Sequence, residues 1–318
     1  MEIRYRFLIL ISVIFLVFSI GYISQPILFK IYRPAGTWVT SADGSMSRYI
    51  LSGAEHGGPV FVLCHGIQGD ADQLSALQTE LSKHATVISY DRLGMGWSPG
   101  VANSGYDAAS QSIRMKEILS TVVPNRPLIL VGYSFGAIHE RVARDLLGSS
   151  VVGMIMIDPS HENMIDNMPQ EVIDEQRMFF KSLKRNLWFS RFCLLHLKKL
   201  TTMNSLTTKS VGEESKWHNA GTLAEMEVQE RSLKQAKESK PFEQLPVLIF
   251  SARAGNSVGR REFNLLHDSL VLRGSHTKLI VFPDADHFTV TASKYAPRLA
   301  DEIIRFLGGT NLSGSLKD

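Results

Sequence analysis

The sequence predicts an α/β fold: a mainly parallel sheet with helices on both of its faces. Three observations predict it. Short, nearly continuous apolar runs, such as Pro59–Cys64, Leu128–Val131 and Val151–Ile157, suit strands buried on both faces. Helix-forming stretches alternate with these runs, which implies parallel strands joined by crossover helices. At 318 residues, 44% apolar and 20% charged, the chain can bury a large core and is neither disordered nor fibrous. The net charge of +3 is small, and no run of Lys and Arg is interleaved with aromatics, so nucleic acid is not an expected partner. Two cysteines, Cys64 and Cys193, make no disulfide framework. The ten histidines show no ligand spacing with Cys or carboxylates, so no metal site is expected.

In chain order, residues 1–30 come first. Phe7 to Phe29 carries no charge, and Arg4 and Arg6 precede it. An uncharged stretch of about 20 residues can cross the hydrocarbon of a bilayer as a helix. The basic flank predicts a cytoplasmic N-terminus and a translocated remainder. A retained membrane anchor is preferred over a cleaved signal peptide, because Ser19-Ile20-Gly21 is a poor cleavage site. The expected location is therefore membrane-anchored, with the globular part on the extracytoplasmic side.

Residues 31–161 read as the first part of the sheet. Short strands are expected near Trp38 and over Ser47–Ser52, then Pro59–Cys64 and Thr86–Tyr90, with a helix over Ala71–His84 between the last two. A helix over Tyr106–Thr121 follows, then Leu128–Val131, a helix over Ala137–Leu147 and the strand Val151–Ile157. Over 162–243 the strand signal vanishes, and a Met-rich, charged, helical segment is expected to fold over the sheet. The sheet resumes over 244–307, at Leu245–Ser251 and Lys278–Phe282, and closes with a helix over Ala296–Leu307. The tail, 308–318, is Gly/Ser-rich.

The chain is organised around Leu128-Ile-Leu-Val-Gly-Tyr-Ser-Phe-Gly-Ala137. An apolar strand runs straight into Gly-x-Ser-x-Gly, and a helix follows at once. Gly132 and Gly136 remove the Cβ atoms that would clash at so sharp a turn. Ser134 is thereby expected at the tip of a strained strand-to-helix elbow, facing the first amides of the helix. Acyl transfer to a serine needs a nucleophile, a base, an orienting carboxylate and donors for the oxyanion. Ser134 supplies the first of these. The amide of Phe135 is the expected first oxyanion donor. The tight turn His65-Gly66 is expected to aim the second, from Ile67 in preference to Gln68.

Gly132-Tyr-Ser-Phe-Gly136, His65-Gly66-x-x-Gly69, Asp91-Arg-Leu-Gly-Met-Gly-Trp-Ser98 and Asp286-His287-Phe288 together resemble the α/β-hydrolase fold family, over about Gly36 to Leu307. The likeness is to its serine esterase and lipase-like members, and the 162–243 insertion would be their cap. The resemblance implies an eight-stranded sheet, a Ser–acid–His triad in that chain order, and no metal or organic cofactor. Members with Asp at the elbow act as dehalogenases or epoxide hydrolases, and Ser134 argues against both.

The family's histidine follows the last strand, which places the base at His287. The family's usual acid follows the next-to-last strand, but Ser251–Gly259 contains no Asp or Glu. A variant of the family takes the acid from the end of the preceding strand, and that position is Asp158. Asp268 is the alternative acid, and Asn256 a neutral substitute. His65 and His161 are expected to shape loops. Asp91 and Arg92 are expected to lock the loop Leu93–Ser98 through an ion pair and hydrogen bonds.

Within the insertion, Lys181–Leu200 mixes Lys and Arg with Leu, Trp and Phe, which suits a cap helix or a helix on anionic lipid. Met164, Met168 and Met178 would give a pocket adaptable walls. The expected activity is hydrolysis of a small-molecule carboxylic ester with a lipophilic acyl or alcohol group. Acyl transfer through the same site, and a non-catalytic binding protein on this fold, remain the alternatives.

Overall fold

Apolar runs with no polar face must be covered on both sides, and the strands are arranged accordingly in the computed structural model, which describes residues 2–31, 34–101, 105–190 and 220–310. The strands are β1 (Thr37–Thr40), β2 (Met46–Ser52), β3 (Val60–Cys64), β4 (Thr86–Tyr90), β5 (Leu128–Tyr133), β6 (Val151–Ile157), β7 (Val247–Ala252) and β8 (Thr277–Phe282). They form one eight-stranded sheet in the order β1-β2-β4-β3-β5-β6-β7-β8. Only β2 runs against its neighbours; from β4 to β8 every pairing is parallel.

Strand side chains alternate between two apolar layers. Phe61, Leu63, Ile129, Val131 and Phe250 face α2 (Ser75–Leu81) and α9 (Ala296–Gly308), meeting Leu77, Leu81, Leu299 and Ile303. Val60, Val62, Leu130, Met154 and Ile249 face the other way. They meet Met115 and Ile118 of α3 (Ala108–Val122), Ala137 and Ala143 of α4 (Gly136–Leu147) and Leu270 of α8 (Val258–Leu270). Full burial of each large apolar side chain contributes roughly 1.5–3 kcal/mol.

The helix expected over Ala71–His84 divides in two. The Asp70 carboxylate caps a 3-10 turn, Ala71–Leu74, and α2 follows it. Beyond Leu81, Lys83 and His84 bond back only three residues, which tightens the end instead of extending the helix. Helix α8 was not expected at all. Ser257 caps it by accepting from the Arg260 amide. Gly259 and the Arg260-Arg261 pair obscure its apolar positions in the sequence. Gly259 has a packing reason, since a Cβ there would lie 3.1 Å from Val172.

Between β6 and β7 the described chain is helical: α5 (Gln170–Ser190), α6 (Ala220–Glu227) and α7 (Gln229–Glu238). Residues 191–200 of the basic, aromatic stretch, Cys193 and most of the tail lie outside the described residues. At the other end, α1 (Glu2–Ile31) contains Arg4–Ile23, whose mean hydropathy of 2.4 makes it long and apolar enough to cross a membrane. Its Phe7, Leu8, Phe15 and Leu16 are exposed rather than packed on the sheet.

Candidate active site

Strand β5 turns into α4 at Ser134, which adopts φ 53°, a left-handed conformation that a serine rarely takes. A Cβ on Gly132 would sit 2.6 Å from Ala137 Cα, and one on Gly136 would sit 2.3 Å from the Cys64 carbonyl oxygen. The turn therefore requires both glycines. It is held by the Ser134 amide, which donates to the Ile157 carbonyl at 3.0 Å, and by the Ser160 amide, which donates to the Ser134 carbonyl at 3.0 Å.

The Ser134 Oγ lies 3.0 Å from His287 Nε2, and His287 Nδ1 lies 2.6 Å from Asp158 Oδ2. Asp158 directly follows β6 and is also left-handed, at φ 41°. Its Oδ1 accepts from the Ala252 amide at the end of β7 at 2.8 Å, and Arg260 Nη1 donates to both carboxylate oxygens at 3.1 and 3.2 Å. Burial alone would raise this carboxyl. The hydrogen bond from His287 and the neighbouring His267 and Arg260 outweigh it and hold Asp158 at about 2. His267, buried 3.8 Å from Asp158, is pushed below its usual value by that burial, and its two ring nitrogens bond the Ser251 hydroxyl and the Pro159 carbonyl.

His287 is placed by its own loop. The Asp286 carboxylate accepts from the amides of Phe288 and Thr289, closing a turn around the histidine. The Tyr133 hydroxyl donates to the His287 carbonyl at 2.6 Å, and its ring stacks on the imidazole with centroids 5.2 Å apart. Burial pushes the Tyr133 hydroxyl well above its usual range, so it remains a donor.

Asp268 is half-exposed and pairs with Arg253, so among the described residues it makes no bond to His287. Asn256 is exposed. His161 is buried against Asn163, Glu162 and Ser269, away from the serine. Asp91 and Arg92 do not pair with each other. Burial pushes Asp91 up to about 7 against the pull of Arg48, 3.4 Å away, and its carboxylate accepts from the amides of Ala71 and Trp97. Arg92 pairs with Glu225 of α6. These partners lie far apart in sequence, and no short motif announces them.

At the His65-Gly66 turn, the Gly66 amide donates to Gln73 Oε1 at 2.8 Å, and a Cβ on Gly66 would press on Ser134 Cβ at 3.1 Å. Among the described residues, no acceptor bonds the amides of Ile67 or Phe135. A cavity of about 310 Å³ opens beside Ser134 and His287. Its apolar wall includes Ile67, Phe135, Met164, Phe179, Phe180 and Phe263, with Gln176 and Gln229 as polar groups. Met168 does not line the cavity and belongs to the apolar cluster that also holds Phe135 and Ile138, and Met178 is 72% exposed. No group of metal-ligating side chains occurs among the described residues. A hydroxyl, an imidazole and a carboxylate in such a row can move a proton off the hydroxyl as it attacks, with amides nearby to receive negative charge.

Residues 61–302 match the model of the alpha/beta hydrolase family. The chain belongs to that family. As a member it is a hydrolase, on the eight-stranded sheet described above. It is 25% identical over 256 residues to the uncharacterized hydrolase YraK of Bacillus subtilis, covering 77% of this chain and 88% of that one. Among solved structures, an esterase from Exiguobacterium antarcticum superposes with a TM-score of 0.63 at 15% identity, over 86% of this chain and 100% of its own. The Cif epoxide hydrolase from Acinetobacter nosocomialis superposes with a TM-score of 0.66 at 14% identity, over 90% of this chain and 96% of its own. At these identities the two likenesses speak to the fold of this hydrolase.

Four contributors to the site escape sequence reasoning: Gln73, Tyr133, Arg260 and His267. Tyr133 lies inside the pentapeptide, where only Gly and Ser carry the motif. The Ser257 cap with Phe263, Leu266 and Leu270 at helical spacing was the available signal for α8, which carries Arg260 and His267.

Proposed function

We propose that this hydrolase cleaves carboxylic esters through a covalent acyl-enzyme. The Ser134 Oγ attacks the ester carbonyl carbon while His287 Nε2 takes its proton. Asp158 holds the Nδ1–H tautomer and stabilises the imidazolium. The Phe135 and Ile67 amides receive the charge that develops on the carbonyl oxygen, each contributing about 3 kcal/mol. The C–O bond to the alcohol then breaks, and the imidazolium returns its proton to the departing oxygen. Water, deprotonated by the same imidazole, attacks the acyl carbon and releases acid and free Ser134.

The observation that carries this reading is the row of contacts at 3.0 and 2.6 Å beside an apolar cavity. A serine at the elbow also favours acyl chemistry over the alkyl–enzyme chemistry of members with Asp there. The apolar wall, part of it contributed by the 162–243 insertion acting as a cap, favours a lipophilic acyl or alcohol group. A fluorophosphonate probe tests the reading. Labelling is expected in the wild type and in Ser112→Ala, whose hydroxyl is spent on the Ala108 carbonyl inside α3, and lost in Ser134→Ala. Labelling and ester turnover that survive in Ser134→Ala would overturn it.

The span Arg4–Ile23 serves as a retained anchor with the hydrolase body outside the cytoplasm, supported by its length and by Arg4 and Arg6 at its N-terminal end. Protease added to intact cells or spheroplasts is expected to digest the body. Full protection, or release of a shortened body into the soluble fraction, counts against this placement.

A further inference from the structure

Arg92, buried just beyond β4, faces two ways. Toward the insertion, its Nε and Nη2 donate to Glu225 Oε1 and Oε2 at 2.8 and 2.9 Å, and His139 Nε2 lies 2.9 Å from the same Oε1. Toward the sheet, Nη2 donates to the Gly66 carbonyl at 3.0 Å and Nη1 to the His65 carbonyl. The His65 ring completes the arrangement. Its Nε2 accepts from the Arg92 amide at 3.2 Å, so Nδ1 carries the proton and donates to the Gly66 carbonyl at 2.8 Å.

The Gly66 carbonyl and the Ile67 amide belong to one planar peptide group. Three donors on that carbonyl, the Arg92 guanidinium, the His65 ring and the Gly69 amide at 3.1 Å, fix the plane, and with it the direction of the Ile67 N–H. They also polarise the amide and strengthen it as a donor. The rigid guanidinium fork suits this task in a way that a lysine ammonium does not. Helix α6 is docked on the same loop, because the Gly221 amide donates to the Gly94 carbonyl at 3.1 Å and the Thr222 hydroxyl meets Met95 Sδ at 3.3 Å.

We propose that Arg92, held by Glu225, is a positioning residue that aims the Ile67 amide at the oxyanion, so that docking of the inserted helix α6 sets the competence of the serine site. This rests on the acyl-enzyme reading above. The alternative is a pair that only pins the insertion to the core.

The test uses the full chain in detergent and three variants: Arg92→Lys, Glu225→Gln and the paired Arg92→Met/Glu225→Met. The last removes both charges together, so neither is stranded and the fold is expected to survive. Active sites are counted by fluorophosphonate titration at saturation, and melting temperatures are recorded alongside. Per titrated site, kcat on a short acyl ester is expected to fall about 10- to 100-fold, with KM within about twofold of the wild type. The inhibition constant of a boronic acid, whose serine adduct carries an oxyanion-like oxygen, is expected to rise by the same factor as kcat falls. Site-normalised kcat and boronate affinity that stay within about twofold of the wild type, whatever the melting temperature does, overturn the proposal. Failure of the underlying reading looks different: ester turnover would then persist in Ser134→Ala.

Discussion

Asp158 and His287 meet at 2.6 Å although 129 residues separate them in the chain. The contact needs β6, β7 and β8 as successive parallel neighbours, because Asp158 directly follows the first and His287 comes after the last. A carboxylate held at about 2 is ionised throughout the neutral range and is available to orient the imidazole. Asp158→Asn is therefore expected to lower kcat by about 10³–10⁴-fold with the protein still folded. Asp268→Asn, which breaks only the half-exposed pair with Arg253, is expected to leave kcat within about twofold. Steady-state kinetics on one ester decides between the two, and equal losses would remove Asp158 from the role.

The Tyr133 hydroxyl fixes the His287 backbone while its ring stacks on the imidazole. Tyr133→Phe keeps the stacking and loses one hydrogen bond, so a loss of about 1 kcal/mol in urea unfolding is expected. A several-fold fall in kcat with little change in KM should accompany it. An unchanged kcat would show that the loop holds the histidine without this bond.

At the elbow, Gly136 packs against the backbone of β3. Gly136→Ala drives a methyl group into the Cys64 carbonyl, and β3 and α4 would have to part. Overpacking of this kind costs roughly 1–3 kcal/mol. Because the displaced strand carries the His65-Gly66 turn, activity is expected to fall further than stability. Chemical denaturation and kcat measured on the same preparation test this.

Glu162, at the start of the insertion, is buried against Arg141 and Arg273. Burial alone would raise its carboxyl, but the hydrogen bond and charge of Arg141, then His161 and Arg273, hold it at about 2, below the ordinary 4.5. A carboxyl depressed in the folded state stabilises the protein above its unfolded value. That stability, roughly 3 kcal/mol by linkage, is lost as pH falls from about 4.5 to 2. Glu162→Gln is expected to be less stable at pH 7 and to show a flatter stability profile across that acid window. Wild-type and variant profiles of equal slope would refute the assignment.

Much of this protein was legible in its sequence because the deciding information was local. The six strands from β3 to β8 are short apolar runs bounded by turn residues, and the pleat places alternate side chains on opposite layers. The elbow was legible because two glycines flank a serine at fixed spacing, and only that pattern permits the turn. His287 and Asp158 could be singled out as residues that follow strands, once a family resemblance supplied the strand order. What tertiary structure alone decided are the partnerships across long separations. Arg92 reaches Glu225 rather than Asp91, Arg260 arrives at Asp158 on a helix whose apolar positions were masked, and Tyr133 supports the histidine loop. A buried charge takes whichever partner the packing brings within about 3 Å. That choice is made by the folding of elements distant in sequence, and no spacing along the chain records it.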